Sequence, residues 1–138
     1  MHYNGISSEI IDSYTRTEAI EDGFLIDVSE VARTMGFKIP VAVTASLWSH
    51  CIEWNPENQS QFVQSTKARL LSVLRKLYFK MLDHLVCQIK HTNTFFYEIW
   101  AIPNKATSLY PDEVMLRAVC GFGDNQEPVL TILLKDED

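Results

Sequence analysis

From Ser65 to Lys90 the apolar positions fall three and four residues apart: Leu70, Leu71, Val73, Leu74, Leu77, Tyr78, Met81, Leu82, Leu85, Val86 and Ile89. That spacing places them on one broad stripe of an α-helix and leaves Arg69, Ser72, Lys76, Lys80 and Asp83 on the other side. Ser65 or Thr66 can cap the start, and no Gly or Pro interrupts the run before Asn93. The pattern predicts one long helix over 65–91, about 25 residues or roughly 38 Å, which needs other elements laid on its apolar stripe.

Before it, residues 14–64 read as short helices and extended segments. Thr15-Arg16-Thr17-Glu18 has the form of a capping box, and Gly23 stops the helix it opens. Phe24 to Val28 is extended, Ser29 is the expected cap of a second short helix ending at Gly36, and Phe37 to Val43 is extended around Pro40. Thr44 is placed to cap a third helix carrying Leu47, Trp48, Cys51, Ile52 and Trp54. Residues 1–13 offer only Ile6, Ile10 and Ile11 at helical spacing and are expected to fray.

After Asn93 the period changes to that of strands. Phe95 to Ile102, Val114 to Cys120 and Val129 to Leu134 predict an antiparallel meander over 94–134. The fold class is therefore α+β, a single domain over 1–138 with short N-terminal helices and the long central helix packed on a C-terminal antiparallel three-stranded sheet. Phe24–Val28 or Phe37–Val43 can join that sheet as an edge.

Length and composition fit that picture. The chain has 138 residues, 46% hydrophobic and 22% charged, with five Gly and five Pro, which is globular usage. It shows neither a secretory leader nor an apolar run long enough for a bilayer, so a soluble cytoplasmic protein without membrane association is expected. Three cysteines, Cys51, Cys87 and Cys120, are odd in number and widely spaced, which argues for free thiols.

Charge changes the picture more than composition does. The net charge is −6, yet residues 65–90 hold six Lys/Arg against one acid, between two acidic flanks. Lys67, Arg69, Arg75, Lys76 and Lys80, aided by Lys90, form a candidate partner-binding strip. Phe96 and Trp100, on one face of the first predicted strand, are candidate partner contacts that can also stack bases.

Other chemistry is weaker. His84, Cys87 and His91 fall at i, i+3 and i+7, too far along one helix for three ligands to meet one ion. His50-Cys51 cannot be its own catalytic dyad, because adjacent helical residues point about 100° apart. The acidic pairs Glu21-Asp22, Asp112-Glu113 and Asp136-Glu137 read as solvated turn or terminal residues. A helix-turn-helix over Ser29 to Ala45 lacks Arg, Asn and Gln at the reading positions. No catalytic residue, metal or cofactor is assigned, and the reading leans away from an enzyme, with a Cys/His enzyme as a further alternative.

The opening Tyr14-Thr15-Arg16-x-x-Ala19-Ile20-x-Asp22-Gly23-x-Leu25-Ile26-Asp27-Val28-Ser29 is followed by Ala32-Arg33-x-x-Gly36-Phe37-x-x-Pro40-Val41-Ala42-Val43-Thr44 and Trp48. With Gly121-x-Gly123-Asp124-x-x-Glu127-Pro128-Val129-x-Thr131-Ile132, it resembles a family of small uncharacterised bacterial proteins, a domain of unknown function found in genomes, plasmids and phages. The central Leu/Lys-rich segment departs from that family's Trp-bearing middle. The resemblance implies an accessory gene of mobile DNA, where small proteins act on replication, restriction or CRISPR machinery. The expected function is thus a small non-catalytic macromolecule-binding protein, an anti-CRISPR or other anti-defence inhibitor of a host protein. The alternative is a nucleic-acid-binding accessory protein using the basic helix, and a homodimer is compatible with either.

Overall fold

The computed structural model describes residues 14–55, 65–87, 93–102 and 110–137, without the side chains of 83–87. The expectation for 1–13, most of the polar loop at 55–64 and the connection over 103–109 lie outside the described residues.

A five-stranded mixed sheet runs through the molecule in the order β1-β2-β5-β4-β3. Its strands are β1 (Leu25–Asp27), β2 (Val41–Thr44), β3 (Thr94–Ala101), β4 (Asp112–Phe122) and β5 (Pro128–Leu134). The helices are α1 (Arg16–Glu21), α2 (Ser29–Thr34), α3 (Ala45–Leu47), which continues as a π-helical turn over Trp48–Ile52, and α4 (Thr66–Cys87).

The expected three-stranded antiparallel sheet is corrected here. β3, β4 and β5 do form an antiparallel meander, but β2 lies alongside β5 in parallel, with Val41 opposite Leu130 and Val43 opposite Ile132. β1 then pairs antiparallel with β2, so β2 is an interior strand. The physical reason lies in burial: all four residues of β2 are buried, and a strand covered on both faces has no apolar/polar alternation to reveal it.

Several local signals act as their chemistry dictates. Thr15 accepts from the Glu18 amide while the Glu18 carboxylate accepts from the Thr15 amide, a complete capping box for α1. Gly23 and Gly36 take φ of 83° and 107°, the left-handed conformation that ends α1 and α2. Thr44 Oγ1 accepts from the Leu47 amide and caps α3. The expected cap at Ser29 is different: the Asp27 carboxylate receives the Ser29 amide and hydroxyl, and Ser29 Oγ accepts from the Val41 amide. Ser29 thereby stitches α2 to β2 from inside the helix.

The core lies on one side of the sheet. Leu70, Val73, Leu74 and Leu77 of α4 meet Phe95, Tyr97, Ile99, Leu116 and Ile132, with Leu47, Cys51 and Ile52 closing the end. Burying each such side chain contributes about 1.5–3 kcal/mol. On the opposite side α1 packs beside β1 and reaches β5 through Arg16, whose Nη1 donates to Thr131 Oγ1 at 2.7 Å and Nη2 to the Leu130 carbonyl at 3.0 Å.

Candidate functional site

Strand periodicity sorts β3 into two sets. Phe95, Tyr97 and Ile99 point into the core, and Tyr97 Oη donates to the Val73 carbonyl of α4 at 3.2 Å. Phe96, Glu98 and Trp100 point outward, next to Arg117, Met115 and Glu113 respectively on β4. Phe96 is 47% exposed and Trp100 63%, with Met115 between them and Phe79 standing exposed on α4. This open area of the outer face, together with the rim of α4, is the candidate site.

A shallow groove of about 610 Å³ joins its two parts, lined by Lys76, Phe79 and Lys80 of α4 and by Phe96, Tyr97, Glu98 and Met115 of the sheet. Because consecutive residues of β3 line it, the groove opens on the edge of that strand. Asn93 accepts from the Cys120 amide through its carbonyl, at 2.7 Å. Since hydrogen-bonded positions alternate along an antiparallel ladder, the N–H and C=O groups of Phe96 and Glu98 point away from β4, toward the groove. No described strand pairs with that edge.

The basic residues expected to act together are divided by the helix. Lys67, Arg75 and Lys76 are exposed and Lys80 is half-buried. Arg69 is 6% exposed, donates from Nε to the Ile52 carbonyl at 3.0 Å, and stacks its guanidinium over Trp54 at 5.0 Å. It ties the π-helical turn to α4 and is thus a structural residue. Of the expected set, Lys76, Lys80 and Phe96 meet in the groove, and Trp100 stands four residues beyond Phe96 along β3.

Glu98 and Glu113 were missed as a pair by sequence reasoning, because Asp112-Glu113 reads as a turn and instead opens β4. The Glu98 carboxyl, hydrogen-bonded to it and like-charged, raises the Glu113 pKa from its ordinary value. Two further acids carry structural roles that were also missed. Asp124 in the β4–β5 loop accepts from the Arg16 and Thr17 amides and the Thr17 hydroxyl at the start of α1, and those bonds hold its pKa down. Glu137 accepts from Thr44 Oγ1 and from the Leu134 amide. Only contacts far apart in the chain distinguish these acids from solvated ones.

Cys51 is buried, and burial pushes its thiol up to about 11, the opposite of what activates a nucleophile. Cys120 is raised by burial as well. The side chains of His84 and Cys87, and residue His91, lie outside the described residues. Among the described residues no three His, Cys, Asp or Glu side chains are gathered as a metal site, and no helix is long and apolar enough to cross a membrane.

Fold and site together define an α+β protein whose mixed sheet is covered by helices on one face and, among the described residues, only partly on the other. The model of a family of unknown function, DUF6573, matches residues 1–138, and the chain belongs to that family. No curated protein and no solved structure matches it.

Proposed function

We propose that the protein is a non-catalytic binding protein that docks a partner protein on the open outer face of β3 and β4. The observation that carries this reading is the exposure of Phe96, Trp100 and Met115 side by side on one sheet face. Large apolar groups grouped on a surface favour contact with another macromolecule, and Trp anchors such contacts well. Lys76 and Lys80 at the rim, against the acidic flanks of the chain, supply charge for steering. The concrete form is an anti-CRISPR or other anti-defence inhibitor of a host protein; that choice rests on the resemblance to small proteins of mobile DNA.

The test is affinity capture by the tagged protein from a bacterial lysate carrying CRISPR and restriction systems, beside a Phe96→Ser/Trp100→Ser variant. One stoichiometric protein retained at high salt by the original chain and lost by the folded variant is the expected outcome. Equal capture by both overturns the outer face as the docking site.

A second reading, nucleic-acid binding along α4, is favoured by one observation: exposed Phe79 lies beside Lys76 and Lys80. Stacking and phosphate contact then combine, and binding must weaken steeply with salt. Recovery of nucleic acid alone, released by salt, selects this reading.

A further inference from the structure

The groove beside β3 combines two kinds of recognition group. Its edge presents the main-chain donors and acceptors of Phe96 and Glu98, and its α4 wall presents Lys76 and Lys80. The lysines stand four residues apart, which is about 6 Å along a helix. Alternate residues of an extended strand stand about 6.8 Å apart and face the same way. The rise between the two cations on α4 is therefore close to the repeat of every second side chain on a strand.

We infer that this groove accepts an extended acidic segment of the partner protein, added as a further strand beside Phe96 and Glu98 on the edge of β3 that no described strand pairs with, with two carboxylates two residues apart seated on Lys76 and Lys80. The inference rests on the reading of the chain as a protein-binding protein and names the chemistry of what it binds. Side chains alternating with the two carboxylates face the outer side, beside Phe96 and Met115, so they are apolar. Acids there would meet Glu98. Main-chain pairing supplies affinity and the lysines set the register, as in strand addition generally. β3 is eight residues long and carries neither Pro nor Lys, two of the devices that normally block an edge, and Glu98 is its one charged residue.

The test uses the full chain, isotope-labelled, and synthetic octapeptides followed by amide NMR shifts and amide exchange. One peptide alternates Glu and Val; a second has the same composition with the four Glu together; a third alternates Lys and Val. The alternating acidic peptide is expected to bind about tenfold or more tightly than either other peptide, and Lys76→Glu/Lys80→Glu to lose about tenfold or more of that affinity. Amide exchange of Phe96 and Glu98 slows on binding. A milder Lys76→Gln/Lys80→Gln variant, with an unchanged melting curve, shows the same direction of loss.

Equal binding of the two acidic peptides, indifference to both lysine variants, or unprotected Phe96 and Glu98 amides overturns the inference. So does displacement of the peptide by an oligothymidylate that binds more tightly, which points to nucleic acid in the groove. Failure of every peptide while capture still depends on Phe96 and Trp100 overturns the strand addition and leaves the outer-face reading standing. Specific peptide binding with capture insensitive to Phe96 and Trp100 does the reverse.

Discussion

β2 and β3 belong to one sheet and are used in opposite ways. β2 is short, lies between β1 and β5, and buries all four of its residues. β3 is twice as long, lies at an edge, and alternates buried with exposed positions. β2 joins the N-terminal third of the chain to β5, a strand near its other end. β3 anchors α4 with its inner face, and among the described residues no strand pairs with its other edge and Phe96 and Trp100 stand exposed on its outer face. A difference in stability should follow, since a mutation at a buried position removes packing and one at an exposed position removes little.

The largest effect is expected from adjacent residues on β4 that face opposite ways. Leu116 is fully buried against the core, while Met115 lies on the outer face. Leu116→Ala should cost about 2–5 kcal/mol, through lost transfer energy and the cavity left behind. Met115→Ala should cost about 0.5 kcal/mol or less. Urea unfolding of both variants checks the pair, and equal costs would break the division of the sheet into a core face and a free face.

The basic residues of α4 sharpen the same contrast. Arg69→Ala removes the bond to the Ile52 carbonyl and the stack on Trp54, and about 1–3 kcal/mol of stability should go with them. Arg75→Ala, at an exposed position, should stay within about 0.5 kcal/mol. Two arginines six positions apart would thereby separate into a structural residue and a surface one by thermal or urea melts alone.

What could be read from the sequence divides along similar lines. The capping box at Thr15, the stops at Gly23 and Gly36, the cap at Thr44 and the alternation of β3 are local, since each depends on residues within a few positions of one another. β2 was not legible as an interior strand, because three apolar residues and a threonine are too few to show a period and its partner on β5 lies nearly ninety positions away. Arg69 was misplaced for a related reason. The helical wheel puts it on the polar side, away from the apolar stripe, and only the Ile52 carbonyl and Trp54 ring, brought by the π-helical turn, draw it inside. At the site, periodicity identified Phe96 and Trp100 as sharing a face and Lys76 and Lys80 as basic helix residues. That these two sets meet in one groove is a tertiary fact.

The covered part of the outer face depends on a clamp that pH can release. Asp124 receives the amides that begin α1, and its folded pKa is depressed chiefly by the hydrogen bond from the Thr17 side chain. The stabilisation is therefore complete above the ordinary value of 3.8 and is lost as the pH falls through that value toward the depressed folded one. Asp124→Asn keeps the shape and removes the charge. Its melting temperature should lie below that of the original chain at pH 7, and the gap should close as the pH is lowered beneath 3.8. A gap of constant size from pH 7 to pH 2.5 would mean that the carboxylate charge contributes nothing.

Trp100 should give the smallest change in stability and the clearest change in binding. Its side chain stands 63% exposed near the end of β3, so Trp100→Ser forfeits little buried area and the fold should shift by about 0.5 kcal/mol or less. Phe24 is exposed to a similar degree, at 65%, but it stands at the start of β1 with its ring against Tyr14, which makes Phe24→Ser a matched control for lost surface hydrophobicity. If the outer face of β3 is the docking site, Trp100→Ser loses the captured partner while Phe24→Ser keeps it. If both lose it, exposed aromatic area alone explains the capture. Solubility and melting curves of the two variants, measured beside the capture, separate a lost contact from a lost fold, and that separation is available here because the residue proposed to bind is one the core does not need.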